Sequence, residues 1–208
     1  NENYYDTFRE VMDKGMAAID YERKRKEYEN QTGPVRRGIG MALFWYNTAV
    51  WPISLESSSC RMVLNQDGSV QVQTGETEIG QGCDTAFAQM AADAIGIPFE
   101  DVHIVSSQDT DVTPFGTGAY ASRQTYIGGF ALRQTGAILR DKILTCAVEL
   151  TRQMKENLDL EDGKIVRQSD GRVLMTLGEL ATEVLYSLEH SQHITAESTY
   201  QIKNNAYS

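Results

Sequence analysis

Two glycine-bearing stretches, Gly75–Gly82 and Gly116–Gly118, each lead from an extended segment directly into a helix, and they constrain the fold of this chain most. Strands and helices alternate around them without a regular strand–helix–strand repeat, which points to an α+β fold rather than a parallel wind. From Tyr4 to about Gln31, Phe8, Val11, Met12, Met16 and Ile19 recur at helical spacing, and Gly33-Pro34 stops the run. The step Arg36-Arg37-Gly38-Ile39-Gly40 then opens a β-rich stretch, with strands predicted over Met41–Val50, Cys60–Leu64 and Ser69–Thr74. Asn65-Gln66-Asp67-Gly68 joins the last two as a hairpin turn. A helical leader over 1–35 and an α+β domain over 36–208 are therefore expected.

Beyond Gly82, residues Phe87, Met90, Ala91, Ala94 and Ile95 give one helix an apolar face, Gly96 ends it and Pro98 keeps it from restarting. A short strand over Asp101–Ser106 and a polar loop over Ser107–Tyr120 follow. Ser122 then reads as the N-cap of a long helix, Arg123 to Asn157, whose first half is packed with small residues. Turns at Asp162-Gly163 and Asp170-Gly171, a short helix over Leu177–Ser187 and a strand over His193–Lys203 complete the chain.

Charge and cysteine usage narrow the function. A net charge of −10 argues against a nucleic-acid partner, which needs a basic surface. The one basic run, Arg23-Lys24-Arg25-Lys26, sits among Glu22, Glu27 and Glu29 and reads as a solvated helix face. The longest apolar run, Met41–Ile53, is broken by Asn47, Thr48 and Pro52, so no membrane span is expected. With a polar, acidic start and no signal-peptide pattern, the expected location is the cytoplasm. Cys60, Cys83 and Cys146 form no ligand cluster, so redox chemistry here has to borrow its metal and its electron relay.

The glycine-bearing stretches have the make-up of an anion or polar-heterocycle site. In Thr77–Thr85 the glycines allow close backbone approach, the helix start offers N–H groups, and the Gln81 amide both donates and accepts. The plainer reading is a tight strand-to-helix turn with Gln81 exposed. In Gly116–Thr125, hydroxyls, a guanidinium and an amide share one run, and Arg123 either forks onto a phosphate or holds a neighbouring carboxylate. The plainer reading there is a capped helix start. Gly75-x-x-x-x-Gly80-x-Gly82 lacks the Lys-Ser/Thr pair of a P-loop and the last glycine of a dinucleotide fingerprint.

The strings Thr77-Glu78-Ile79-Gly80-Gln81-Gly82, Gln108-Asp109-Thr110-Asp111-Val112-Thr113-Pro114 and Ala121-Ser122-Arg123-Gln124-Thr125, in that order and with Arg37-Gly38-Ile39-Gly40 before them, closely resemble the molybdenum hydroxylase family. From about Arg36 onward the chain looks most like a middle portion of bacterial xanthine dehydrogenase molybdenum subunits. The resemblance implies the α+β molybdenum-cofactor-binding fold of the xanthine dehydrogenase/aldehyde oxidoreductase type, in part. It implies molybdopterin as cofactor, in bacteria usually a dinucleotide such as the cytosine form. Gly80, Gln81 and Gly82 would then contact the pterin and its phosphate, and Ala121 would offer its backbone N–H beside the molybdenum. Ser122, Arg123, Gln124 and Thr125 would hold the cofactor's polar atoms. The implied reaction is hydroxylation of an electron-poor carbon in a purine-like substrate, with oxygen from water and a glutamate as base. Electrons would pass to iron–sulfur and FAD domains or subunits.

Three family features are absent from the sequence: the glutamate in its Gly-Glu-Pro context, the Gly-Gly-Phe-Gly-Gly string and the substrate-orienting arginine. Glu76 and Glu78 lie near the right loop but are not assigned as base, so no catalytic residue is expected here and the segment alone is expected to be inactive. An aldehyde- or nicotinate-type hydroxylase, or a scaffold that keeps the fold without the metal, are the alternatives. Among other candidates, Phe44, Trp45, Tyr46 and Trp51 form an aromatic cluster suited to stacking or to a core. Asp109 and Asp111 are read as shaping a loop, and His190 and His193 as surface residues.

Overall fold

A computed structural model describes residues 3–44, 46, 48, 56–105, 107, 109–187 and 191–202. The chain divides into two compact units, 1–46 and 47–208.

In the first unit the predicted helix over 4–31 is two helices, α1 (Asn3–Ala18) and α2 (Tyr21–Glu27). The break falls at Asp20, which adopts the left-handed region at φ 54°. Neither glycine nor proline marks it, so spacing alone gave no warning. Arg23 pairs with Asp20 and Glu27, and α2 buries no residue, which confirms the basic run as a solvated face. Met41 to Phe44 form no strand, and Trp45, Asn47 and residues 49–50 of the predicted strand lie outside the described residues.

The second unit is built on a four-stranded sheet whose strands lie in the order Val102–Val105, Val70–Thr74, Ser57–Leu64, Thr195–Gln201. Strands β1 (Ser57–Leu64) and β2 (Val70–Thr74) form the predicted hairpin, antiparallel with Leu64 opposite Val70. The Asp67 side chain accepts from Ser69 N–H at 2.9 Å, the local turn bond that aspartate favours. Helix α3 (Cys83–Ile95) ends at Gly96 (φ 93°) and carries the chain to β3 (Val102–Val105), parallel to β2. Strand β7 (Thr195–Gln201) closes the other side of β1, antiparallel.

One sheet face is apolar, with Cys60, Met62, Leu64, Val70 and Val72 buried. Helix α4 (Gly129–Thr151) lies on β1 and β7 and packs on α3. Its buried Leu132, Leu139 and Ile143, with Phe87 and Ile95 of α3, each contribute about 1.5–3 kcal/mol through burial. The small residues of α4 allow the close approach: a Cβ on Gly136 would lie 2.7 Å from the Ala94 Cβ.

The predicted helix from Arg123 to Asn157 differs at both ends. Gln124–Gly128 is a π-helical turn preceding α4, and α4 stops at Arg152 in the left-handed region. Ser122 is not the N-cap: Arg123 holds that position before the π-helical turn, with no side-chain cap bond, and Ser122 itself takes left-handed backbone at φ 53°. The region read only as turns holds a second sheet, β4 (Leu158–Glu161), β5 (Lys164–Arg167) and β6 (Arg172–Thr176), in an antiparallel meander. Arg140 of α4 donates to the carbonyls of Ile95 and Leu160 and pairs with Asp159, joining this sheet to the end of α3.

Helix α5 (Leu177–Tyr186) begins with a reciprocal cap: Thr176 Oγ1 accepts from Glu179 N–H at 3.2 Å, and Glu179 accepts from Thr176 N–H at 2.8 Å. Replacing Thr176 with alanine is expected to lower stability by about 1 kcal/mol, read as a shifted urea-unfolding midpoint with an unchanged slope.

Candidate functional site

The two glycine-bearing loops meet at the end of β2, where their backbones are in van der Waals contact. A Cβ on Gly75 would fall 2.1 Å from the Pro114 carbonyl oxygen, and one on Gly116 would fall 2.0 Å from the Gly75 carbonyl oxygen. Only glycine allows that crossing. The segment feeding it is shaped by Asp109, whose carboxylate accepts from Asp111 N–H at 3.0 Å and whose carbonyl accepts from Thr113 N–H at 2.7 Å. This is the loop-shaping role read from the sequence; Gln108 lies outside the described residues.

In the first loop, Gly80 (φ 96°) and Gly82 (φ 83°) take left-handed backbone, and nothing lies within 4 Å of a Cβ built on either. Their need for glycine is conformational, and their outer faces are open. The expected row of unpaired N–H groups at the start of α3 is corrected, however. The Glu78 carboxylate accepts from Gly80 N–H at 2.7 Å, Gly82 N–H at 3.1 Å and Asp84 N–H at 3.1 Å. These bonds hold the Glu78 carboxyl below the usual range, because each favours the charged form. The helix start thus carries its own internal anion.

Gln81 and Gln124 join the two loops. Gln81 Nε2 donates to Gln124 Oε1 at 2.6 Å and to the Thr77 carbonyl at 2.9 Å, while its Oε1 accepts from Ile79 N–H at 2.7 Å. Gln124 Nε2 donates to the same Thr77 carbonyl at 2.7 Å. Both amide hydrogens of Gln81 are thereby engaged, and one acceptor site on Oε1 remains.

In the second loop Ala121 (φ 47°) and Ser122 (φ 53°) are consecutive non-glycine residues in the left-handed region. Each costs about 1–2 kcal/mol relative to ordinary backbone. Strain of this kind persists only where surrounding contacts over-determine it. The sequence left two roles open for Arg123, and the structure settles its side chain. The guanidinium is fully buried and pairs with Glu56 at 2.9 Å and Glu76 at 2.6 Å, so it holds carboxylates rather than a phosphate. Any contact of Arg123 with a ligand therefore runs through its backbone.

Beyond the bridge lies a cleft of about 390 Å³, lined by Met90, Ser122, Thr125, Tyr126, Phe130 and Arg133. Phe130 meets Tyr126 edge-on at 5.7 Å between ring centroids and stacks on Tyr200 at 4.9 Å. Of the residues predicted for the site, Ser122 and Thr125 border this cleft, and buried Ala121 adjoins it in sequence. Gln81 and Gln124 form the bridge, and Gly80 and Gly82 flank it. Sequence reasoning missed Glu56, Ser58 and the aromatic wall, and it did not foresee the backbone crossing at Gly75.

Neither Glu76 nor Glu78 stands free as a base, since both carboxylates are engaged. Burial, with Asp84, Glu78 and Glu76 nearby, pushes the Cys83 thiol up to about 12, which leaves it a neutral packing group. Burial likewise pushes Cys60 to about 12. Among the described residues no group of three His, Cys, Asp or Glu side chains is placed to hold a metal. His193 is exposed, and His190 lies outside the described residues. Phe44 and Tyr46 are exposed, whereas Trp45 and Trp51 lie outside the described residues.

Residues 14–208 match the family model of the molybdopterin cofactor-binding domain. Across 197 residues the chain is 43% identical to the xanthine dehydrogenase molybdenum-binding subunit of Escherichia coli O157:H7, covering 94% of this chain and 26% of that subunit. It spans about a quarter of the length of that curated relative. Quinoline 2-oxidoreductase of Pseudomonas putida 86 superposes with a TM-score of 0.60 at 26% identity, over 71% of this chain and 19% of that one. The reconstituted CO dehydrogenase of Oligotropha carboxidovorans has the same fold, with a TM-score of 0.64 at 22% identity, over 95% of this chain and 26% of that one.

Proposed function

This chain belongs to the molybdopterin cofactor-binding domain family, and from that membership we propose that it is part of the molybdenum subunit of a purine (xanthine-type) hydroxylase. The supporting observation is the Gln81–Gln124 amide bridge, which joins the two loops beside the cleft bordered by Ser122 and Thr125. The Ser122 and Thr125 hydroxyls and the Tyr126 and Phe130 rings that line the cleft suit a flat heterocycle with polar edges. Molybdopterin, when bound, supplies the molybdenum at which a substrate carbon is hydroxylated with oxygen from water.

In this reading the residues of the chain bind and orient. Ser122 and Thr125 hydroxyls bond the cofactor's polar atoms, with Gln81 adding its remaining acceptor site. The small Ala121 side chain leaves room beside the metal. Because Glu78 already accepts from Gly80 and Gly82, those glycines contact the cofactor through their open outer faces. Gln124 and Arg123 act from behind, one through the bridge and the other through its buried ion pairs. We place the cofactor-binding part in 36–208 and a helical leader in 1–35, although the family match itself begins at residue 14. The base, the iron–sulfur centres and FAD belong to the remainder of the subunit or to partner subunits, and the cofactor is a dinucleotide such as the cytosine form. No helix among the described residues is long and apolar enough to cross a membrane, and we propose a cytoplasmic location.

The test is cofactor content in the complete assembly. Replacing Gln81 or Ser122 with alanine is expected to lower molybdopterin per subunit several-fold, each lost bond to the cofactor contributing about 1 kcal/mol or more. Wild-type occupancy in both variants would remove these loops from the site. Turnover of purines, aldehydes and nitrogen heterocycles by the same preparation assigns the substrate class.

A further inference from the structure

Arg123, the residue that follows the left-handed pair Ala121–Ser122, sits in a buried charge cluster that reaches well outside the second loop. Arg123 Nε donates to Glu56 Oε2 at 2.9 Å, Nη1 to Glu76 Oε2 at 2.6 Å and to the Gly118 carbonyl at 3.1 Å, and Nη2 to the Ser57 carbonyl at 2.6 Å. Ser58 Oγ donates to the other oxygen of Glu76 at 2.7 Å, fixing that carboxylate from the strand. The Tyr120 ring lies 5.7 Å from the guanidinium carbon. Arg123, Glu56 and Glu76 are each no more than 1% exposed.

The connectivity decides what this cluster does. Bonding between the Arg123 side chain and the Gly118 carbonyl closes a ring around Ala119, Tyr120, Ala121 and Ser122, the segment that contains both left-handed residues. The same guanidinium ties that ring to the start of β1 through Ser57 and Glu56, and to the first loop through Glu76. Buried ion networks are poor sources of net stability, since apolar residues of similar volume often serve as well. Their geometric strength is the planar fork, which fixes several acceptors at once.

We propose that Glu56, Arg123 and Glu76 are positioning residues that hold Ala121 and Ser122 in left-handed backbone and so set where the Ser122 hydroxyl faces the cofactor. The role at the cofactor rests on the site assignment above; the hold on the backbone does not.

The experiment uses the full-length protein in its native assembly. Arg123→Lys keeps the charge but has no fork with which to reach four acceptors. It is expected to raise backbone amide exchange at 118–124 by about tenfold or more, leave α3 and α4 at wild-type rates and lower molybdopterin content. Glu76→Gln removes one of the two buried carboxylate charges facing Arg123 and one of its two acceptor oxygens, and is expected to raise exchange at 118–124 by less than Arg123→Lys does. If Arg123→Lys fails to assemble, Glu56→Gln, which leaves the Arg123–Glu76 pair in place, is expected to show a smaller rise confined to the same segment.

Unchanged exchange at 118–124, or a rise spread evenly over α3 and α4, would overturn the positioning role. A local rise in exchange while Gln81→Ala and Ser122→Ala keep full cofactor would instead leave the positioning of the loop standing and refute its place at the cofactor.

Discussion

Replacing Arg123 with methionine is expected to destabilise the chain by about 3–5 kcal/mol, the cost of removing one partner from a buried ion network. Methionine approximates the length of the arginine stem and leaves little cavity. The loss comes instead from Glu56 and Glu76, at 1% and 0% exposure, and from the Ser57 and Gly118 carbonyls that the guanidinium also served. Urea unfolding is the measurement, with a lower midpoint at unchanged slope. A loss below about 1 kcal/mol, the size of an exposed ion pair, would mean that water reaches these carboxylates and that the cluster is not buried.

The second large effect is expected from Gly116→Ala. The added methyl would stand 2.0 Å from the Gly75 carbonyl oxygen and 2.5 Å from its carbon, so the obstacle is backbone that no rotamer change relieves. Overpacking of this kind costs about 1–3 kcal/mol, and more when main chain has to move. The loop is expected to lift from Gly75 and become sensitive to limited proteolysis between 107 and 118, in step with the fall in the unfolding midpoint. Gly40→Ala is the control: nothing lies within 4 Å of a Cβ there, so its cost should stay within about 0.5 kcal/mol.

Much of the frame around the site is legible from local pattern. Asn65–Gly68 marks the β1–β2 hairpin, the spacing of Phe87, Ala91 and Ile95 marks α3, and Gly96 marks its end; all three rest on contacts between near neighbours in sequence. The role of Arg123 is different. Its carboxylate partners lie 67 and 47 residues earlier in the chain, and a charged residue at a helix start gives no local sign of them. The internal anion at α3 was nearer to hand: an acidic residue just before a Gly-x-Gly helix start, as Glu78 is, reads as a ready acceptor for those N–H groups. The π-helical turn and the left-handed pair Ala121–Ser122 escaped because neither residue type signals that backbone. The meander of β4, β5 and β6 escaped because only its turns, Asp162-Gly163 and Asp170-Gly171, carry strong local signals.

In the proposed reading, the two loops joined by Gln81 and Gln124 form one wall of a molybdopterin site. A crystal or cryo-electron microscopy structure of the complete, cofactor-loaded assembly is the decisive measurement. Pterin density within hydrogen-bonding distance of Ser122, Thr125 and the Gly80–Gly82 turn, with the metal beside the Ala121 N–H, is the result expected. Density seated elsewhere in the subunit, with solvent against Gln81 and Ser122, would contradict it.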